Sequence, residues 1–411
     1  MAVTLQLAWR NLWRNPRRTW LTASAIAFIT LLMVFLITLQ LGSYDLMVDS
    51  SLRIFTAHMQ VQREGYVDKP QIRKTIPDAR ALAQRLRADP ALAHVGVAVR
   101  AQGFALAASD TRSYGVQVIG IEPVEEAGVS TLPHLIKAGR YLSGLDAQEV
   151  VLGTALARNL NVKVGDELTL LGSGMDGSVA ATALPVVGLF ESGMAELDRK
   201  FAEIPLGTFQ QVFGLGQDAH TIALLAPDLK QLPQLQRAVT QLLPPQSALV
   251  VLDWERLIPG LKQLIQADWT IGWFSYMALI IVVTFSILNT FIMTVLERTR
   301  EFGVMLALGA TPLRIGLTVF VETTLLTLIG LTIGIVLGSA VAMYFSFYGF
   351  TYPGLEELMG QYGLPGLIYP KLSATSILLG PGVILACVLL VAVFPALRIR
   401  RLEAVQAMHA V

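Results

Sequence analysis

The sequence predicts an α-helical membrane protein with four transmembrane helices and a large α+β extracytoplasmic domain between the first and second. Three observations carry this prediction. The 411 residues are 54% hydrophobic and only 15% charged, with a mean hydropathy of +0.57, whereas an ordinary soluble domain carries about 25% charge; part of the chain therefore has lipid as its solvent. Four apolar runs are long enough for a hydrocarbon core of about 30 Å, which takes roughly 20 helical residues. Between the first two runs lies a long stretch of mixed charge and regular turn residues, enough for one or two compact domains.

Residues 1–18 read as an amphipathic helix, because Leu5, Ala8, Trp9, Leu12 and Trp13 recur at helical spacing opposite Arg10 and Arg14, as in a helix lying in the headgroup plane. The first span, 19–42, is uncharged from Thr19 to Leu41. It exceeds the apolar core of a signal peptide, about 7–15 residues, and no convincing cleavage site precedes Asp45 and Asp49, so it is expected to stay attached. In the insert, 43–268, Ala57 to Gln62 and Gly115 to Ile121 read as strands, Pro77 to Arg87 and Leu232 to Leu243 as amphipathic helices. The second span covers 269–296, a charged link 297–313, and the third span 314–347, interrupted only by Glu322. A loop at 348–373, a fourth span at 374–397 and a tail at 398–411 complete the chain.

Basic residues orient these spans. Arg10, Arg14, Arg17 and Arg18 precede the first, Arg398, Arg400 and Arg401 follow the fourth, and Arg298 and Arg300 lie in the link with Arg314 at its junction with the third span. The loop at 348–373 has Glu356, Glu357 and only Lys371. Positive charge stays on the cytoplasmic side, so both termini and the link are expected there and the insert on the opposite side. Trp9, Trp13, Trp20, Trp254, Trp269 and Trp273 all fall near proposed boundaries, as aromatic belts do.

Chemistry of its own is not expected of this chain. Cys387 has no partner, and His58, His94, His134, His220 and His409 lack metal-ligand spacing. Gly172, Gly174 and Gly177 match the letters of a dinucleotide loop, but the strand-like Ser178 to Phe190 follows instead of a helix, so a hairpin is expected. No phosphate-cradling loop and no nucleophile, base and orienter constellation occurs, and a net charge of +1 without a basic patch suggests no nucleic-acid partner. Glu322 is costly in lipid and lies about two turns past Arg314, where pairing with the link would satisfy it. Gly330, Gly334 and Gly338 repeat every four residues as one smooth face for helix packing.

The link reads Glu297-Arg298-Thr299-Arg300-Glu301-Phe302-Gly303-Val304-Met305-Leu306-Ala307-Leu308-Gly309-Ala310-Thr311. It resembles the E-R-x-R-E-[IF]-G-V-x-x-A-[LM]-G-A-[ST] segment of the MacB/FtsX/LolC superfamily of ABC transporter permeases. Glu149 to Gly153, Val164-Gly165-Asp166 and Val186 to Phe190 with Asp198 are similar to the periplasmic-domain pattern of that family, and Phe394-Pro395-Ala396 with Arg398, Arg400, Arg401 and Val405 to its closing segment. The resemblance implies a bacterial inner-membrane permease subunit whose insert is periplasmic. It implies a second permease copy or homologue, and a separate ATPase that binds ATP and Mg and grips Glu297, Arg298, Arg300, Glu301, Phe302, Gly303, Leu306 and Gly309. The work implied is extraction of lipoprotein or lipid-like cargo, or mechanical transmission to an efflux or cell-envelope hydrolase partner, with a periplasmic carrier or adaptor as a further partner. A receptor or channel is the reading outside the family. For extraction, an apolar cavity is expected from Phe28, Leu32, Phe35 and Leu36 with Tyr276, Ile280, Phe285 and Leu288.

Overall fold

A computed structural model of the chain describes residues 2–245, 247–356 and 366–398. Glu357, Arg400, Arg401, Val405, His409 and the tail beyond Arg398 lie outside the described residues. Two compact units are present, with boundaries after Asp45, Leu264, Tyr352 and Gly366.

The first unit is helical. Pro16–Ser51, Pro259–Glu297, Pro312–Tyr348 and Ala374–Arg398 are each long and apolar enough to cross a membrane. Three of them open on a proline, where the missing N–H leaves nothing unsatisfied. The helices outrun the uncharged stretches at 19–42 and 269–296, because a helix satisfies its own backbone in lipid and water alike, whereas charge marks only the lipid-facing part. The third span lays its glycine face on the first. A Cβ at Gly330 would meet that of Ile26 at 2.7 Å, at Gly334 that of Thr30 at 2.5 Å, and at Gly338 that of Val34 at 3.0 Å. Small residues thus bring two backbones together where lipid supplies no hydrophobic drive between helices. Ile26, Met33 and Ile37 of the first span also pack with Tyr276, Ile280 and Val283 of the second and Ile384 and Val388 of the fourth.

The second unit is the insert, α+β as expected. Its ten strands are β1 Met59–Arg63, β2 Gly96–Ala108, β3 Ser113–Ile121, β4 Ile136–Gly139, β5 Val150–Gly153, β6 Glu167–Ser173, β7 Val179–Phe190, β8 Phe201–Pro205, β9 Thr221–Leu225 and β10 Leu249–Asp253. Successive neighbours β2, β3, β8, β5, β7 and β6 are hydrogen-bonded, and β6 returns to β2, so six strands close a ring. The long β2 makes this possible: residues 105–108 pair with β6, while residues 96–100 pair with β9 and carry the open extension β9-β1-β10. Helix Leu206–Phe213 packs its phenylalanines where the strands carry glycine. A Cβ at Gly103 would meet Phe209 at 3.1 Å, and one at Gly172 would meet Phe213 at 2.9 Å. The glycine triplet therefore closes the β6–β7 hairpin: Gly172 clears a side chain, and Gly177 takes φ +90° in the turn.

Candidate coupling site

The link folds because its residue types alternate between stopping and anchoring a helix. Arg298, at φ −105°, ψ 11°, breaks from the second span. A helix then runs Thr299–Ala307, Gly309 takes the left-handed φ of +91°, and Thr311 with Pro312 starts the third span. One face of this short helix is anchored: Phe302 is buried against Phe291, Ile315 and Val319, with Met305 and Leu306 beside them. Gly303 is buried too. The other face stands free, with Arg300, Val304, Ala307, Leu308 and Gly309 exposed, Leu308 at 82%. Leu313 and Arg314 extend it.

A chain of ion pairs holds the anchored face. Arg298, nearly buried, donates from Nη1 to Glu322 Oε2 at 3.0 Å and from Nε to Glu301 Oε2 at 3.1 Å. Its guanidinium lies 5.5 Å from the centre of the Phe302 ring. Glu322 is thus paired with the link. Arg14 grips Glu301 with both nitrogens, Nη1 to Oε2 at 3.1 Å and Nη2 to Oε1 at 2.7 Å, and Arg18 reaches Glu297 at 2.6 Å. The Arg14 hydrogen bonds hold the Glu301 carboxyl below the usual carboxylate range. In the sequence Arg14 and Arg18 stand out as orienting charges, and Arg14 as part of a polar helix face, but a pairing across 287 and 279 positions leaves no local signal. Of the residues the resemblance singles out, Arg298, Phe302, Gly303 and Leu306 lie on the anchored side. Glu297 and Glu301 are engaged within the chain. Arg300 and Gly309 are exposed, and Arg300 has no ion-pair partner among the described residues.

At the other end of the bundle a second tie joins the first two spans. Tyr276 donates to Gln40 Oε1 at 2.7 Å, Gln40 donates to Tyr44 and Asp268, and Tyr44 donates to Asp268 at 2.6 Å. Tyr44, Trp269, Trp273 and Tyr276 make successive edge-to-face ring contacts around it. Neither Gln40 nor Asp268 carried a signal in the sequence beyond its place at a boundary.

The eight residues of the expected cavity do not share one face. Tyr276 and Ile280 are buried in the bundle, and Phe285, 180° around the helix from Tyr276, is 66% exposed. Phe28 and Leu36 are exposed, Leu32 and Leu288 are half-buried, and Phe35 packs on Phe345 and Phe350 at 5.7 and 5.6 Å.

Some polar groups inside the insert are paired locally, whereas Gln62 Nε2, Glu203 Oε1 and Thr221 Oγ1 are buried without a hydrogen-bond partner among the described residues. Arg100, fully buried, donates to both Glu126 oxygens at 3.0 and 2.6 Å and to the Phe55 carbonyl, and lies over the Phe55 ring at 4.4 Å. Glu203 beside it forms no ion pair among the described residues and accepts from the Tyr141 hydroxyl at 2.9 Å. Burial, and then the charge of Glu126, push Glu203 up to about 8. His220 is pushed down to about 4 by burial, and its Nδ1 accepts from the Gln102 amide at 2.9 Å. The buried histidines His58 and His220 are framework groups.

Four apolar helices, an α+β insert between the first two and a short docked helix in the link describe the architecture of a membrane permease. Residues 19–242 match the MacB-like periplasmic core domain and 273–404 the FtsX-like permease C-terminal model. The chain belongs to the MacB/FtsX/LolC superfamily of ABC transporter permeases, multi-pass proteins of the inner membrane with a periplasmic domain. It is similar to the lipoprotein-releasing system transmembrane protein LolC of Neisseria meningitidis, 25% identical over 280 residues, 64% of each chain. It is also similar to LolE of Haemophilus influenzae, 27% identical over 344 residues, 81% of each chain. The match thus spans just under two-thirds of the Neisseria protein and more of the Haemophilus one. The periplasmic region of MacB from Actinobacillus actinomycetemcomitans aligns with 52% of this chain and 94% of its own, at 16% identity and a TM-score of 0.37.

Proposed function

We propose that this chain is the membrane subunit of a lipoprotein-releasing type transporter, in which a separate ATPase, binding ATP and Mg, drives removal of lipid-anchored cargo from the membrane. A second copy of the chain or a homologue completes the assembly. Both termini and the link face the cytoplasm, and the insert faces the periplasm.

The observation that carries this reading is the two-sided link helix. Its free side offers Val304, Leu308 and Leu313 framed by Arg300 and Arg314, an apolar knob with charged edges suited to a groove on another protein. Its anchored side cannot slide: Phe302 is locked in apolar packing, and Arg298 ties it to Glu322. A push on the knob therefore passes into the second and third spans, and through Arg18 and Arg14 to the first. Each buried CH₂ of a lipid anchor is worth about 0.8 kcal/mol, so a chain of roughly 15 methylenes is held by about 12 kcal/mol and must leave through an apolar path. The second span suits such a path. Only 28% of its apolar window is buried against 50% for the first, and Phe274, Ile281, Val282 and Phe285 face outward.

A periplasmic carrier or adaptor fits the outer face of the strand ring, where Leu106 of β2 stands beside Leu171 of β6, with Phe104 and Val179 exposed next to them. Mechanical transmission to such a partner is the second reading, and that apolar row is what favours it.

The test uses the complex with its ATPase in nanodiscs. Leu308→Asp is expected to abolish stimulation of hydrolysis while the chain stays folded. A photo-crosslinker at Phe285 is expected to capture triacylated lipoprotein and one at buried Ile280 is not. If lipoproteins and phospholipids neither stimulate hydrolysis nor crosslink, while a periplasmic protein does stimulate it, extraction gives way to mechanical transmission.

A further inference from the structure

The N-terminal helix Ala2–Leu12 presents three different faces. Ala8 and Leu12 are buried, Leu12 against Ala23 and Leu326, so the helix is fixed to the bundle. Leu5, Trp9 and Trp13, at spacings of four, are exposed and apolar. Gln6 and Arg10 form a polar edge. Between this helix and the third span runs a groove of about 590 Å³ lined by Leu5, Gln6, Leu7, Trp9, Arg10 and Leu325.

Charge sorts the four arginines of this region. Arg14 and Arg18 are spent on Glu301 and Glu297, whereas Arg10 and Arg17 are exposed with no carboxylate partner among the described residues. A ladder of tryptophans connects the two free charges: Trp9 meets Trp13 at 5.9 Å and Trp13 meets Trp20 at 6.0 Å, one turn beyond Arg17. Indole rings settle at headgroup level, where an apolar body and a polar N–H are both served. The groove is mostly apolar, and the one charge that lines it, Arg10, is positive.

We propose that this groove is a binding site for an anionic phospholipid of the leaflet in which the N-terminal helix lies, with an acyl chain along Leu5, Leu7 and Leu325 and the headgroup phosphate at Arg10, drawn also by Arg17, the other unpaired charge of the segment. The site is separate from the face of the second span assigned to cargo, and it needs neither the ATPase nor a second copy. Because the same segment carries Arg14 and Arg18, an occupied groove steadies the ties to the link, which makes the lipid a regulator of coupling.

The test is tryptophan quenching of the full chain in phosphatidylcholine nanodiscs containing a titrated fraction of phosphatidylglycerol with brominated acyl chains. Quenching is expected at a far lower mole fraction than with brominated phosphatidylcholine, and Trp9→Phe removes most of the selective component. Arg10→Gln and Arg17→Gln each weaken the preference about fivefold, the ratio that ~1 kcal/mol of attraction per basic residue gives. Arg10→Lys retains it, as does Arg85→Gln on the insert. Equal quenching by the two lipids, or a preference unchanged in Arg10→Gln/Arg17→Gln, overturns the proposal. So does a disulfide between Gln6→Cys and Val405→Cys in a Cys387→Ser background, which would give the groove to the chain's own C-terminal segment.

Discussion

The helical bundle and the insert are stabilised by opposite means. In the insert, water drives assembly: a large apolar cluster runs from Met59 to Val251 through strands and covering helices, and the ring closes so that β6 and β7 leave no open edge between them. The bundle sits in a solvent as apolar as its own side chains, so burial contributes little, and contact geometry and polar bonds must substitute. The glycine face of the third span, the Gln40–Tyr276 tie between the first and second spans and the Arg298–Glu322 tie between the link and the third span provide this. The insert is a body whose parts all reinforce one another. The bundle has separable joints, with the second span tied near its ends and least buried along its length, and motion is available where joints are separable.

Buried carboxylates occur in both regions, and Glu203 of the insert and Glu322 of the bundle give the largest contrast to test. Glu203 forms no ion pair among the described residues, so it stays protonated in the fold. Below pH 4.5 folded and unfolded chains both carry this proton; from 4.5 to about 8 only the unfolded chain gives it up, so stability falls across that window and the cost is constant above it. By pH 8 it is on the order of 4 kcal/mol. Glu203→Gln is expected to flatten this slope, read as the denaturant midpoint of the insert's strand signal at pH 5 and pH 8. An unchanged slope would mean that another group titrates there.

Glu322 is the opposite case, a carboxylate kept in the bundle by Arg298. Arg298→Ala leaves it buried without a partner and is expected to cost about 3 kcal/mol, the lower part of the range for breaking a buried pair, seen as a lower melting temperature of the bundle with the insert's signal unmoved. Adding Glu322→Gln is expected to recover more than half. If the single substitution is as mild as loss of a surface pair, the buried tie is not what secures the link helix. Gly334→Ala follows, at about 2 kcal/mol of overpacking, since its Cβ would fall 2.5 Å from that of Thr30. A mild outcome would show that the first and third spans part easily, and that the second span is not the bundle's only loose element.

What could be read in the sequence depended on how far apart the interacting residues lie. Spans are local, and runs of uncharged residues located all four helices, though not their ends, because Ser43 to Ser51 and Pro259 to Asp268 continue helices in polar sequence. The β6–β7 hairpin was visible in its glycines, which are also local. Closure of the ring was not, since Leu106 meets Leu171 across the chain with only ordinary strand residues on either side. The link helix was legible as a motif, but its two faces were not: Glu297 and Glu301 look as available as Arg300 until Arg18 and Arg14 are seen to hold them.

That last point sets the smallest predicted effect in stability and the most discriminating in function. An exposed ion pair such as Arg14 with Glu301 is worth about 0–1 kcal/mol, so Glu301→Gln is expected to leave the melting temperature nearly unchanged, whereas Glu301→Arg also sets a cation against Arg298 and lowers it slightly. If Glu301 serves as an internal tie, that substitution loosens the first span from the link and lowers the cargo released per ATP hydrolysed, while hydrolysis itself persists. Restoring the attraction with the partner reversed, Arg14→Glu together with Glu301→Arg, then recovers release. If Glu301 instead touches the ATPase directly, the exchanged pair leaves the wrong charge at that surface and recovery fails. Measuring release per ATP for both single variants and the exchange separates the two, because the Arg14 tie is indifferent to which side carries the positive charge, while the repulsion from Arg298 is common to Glu301→Arg and the exchange.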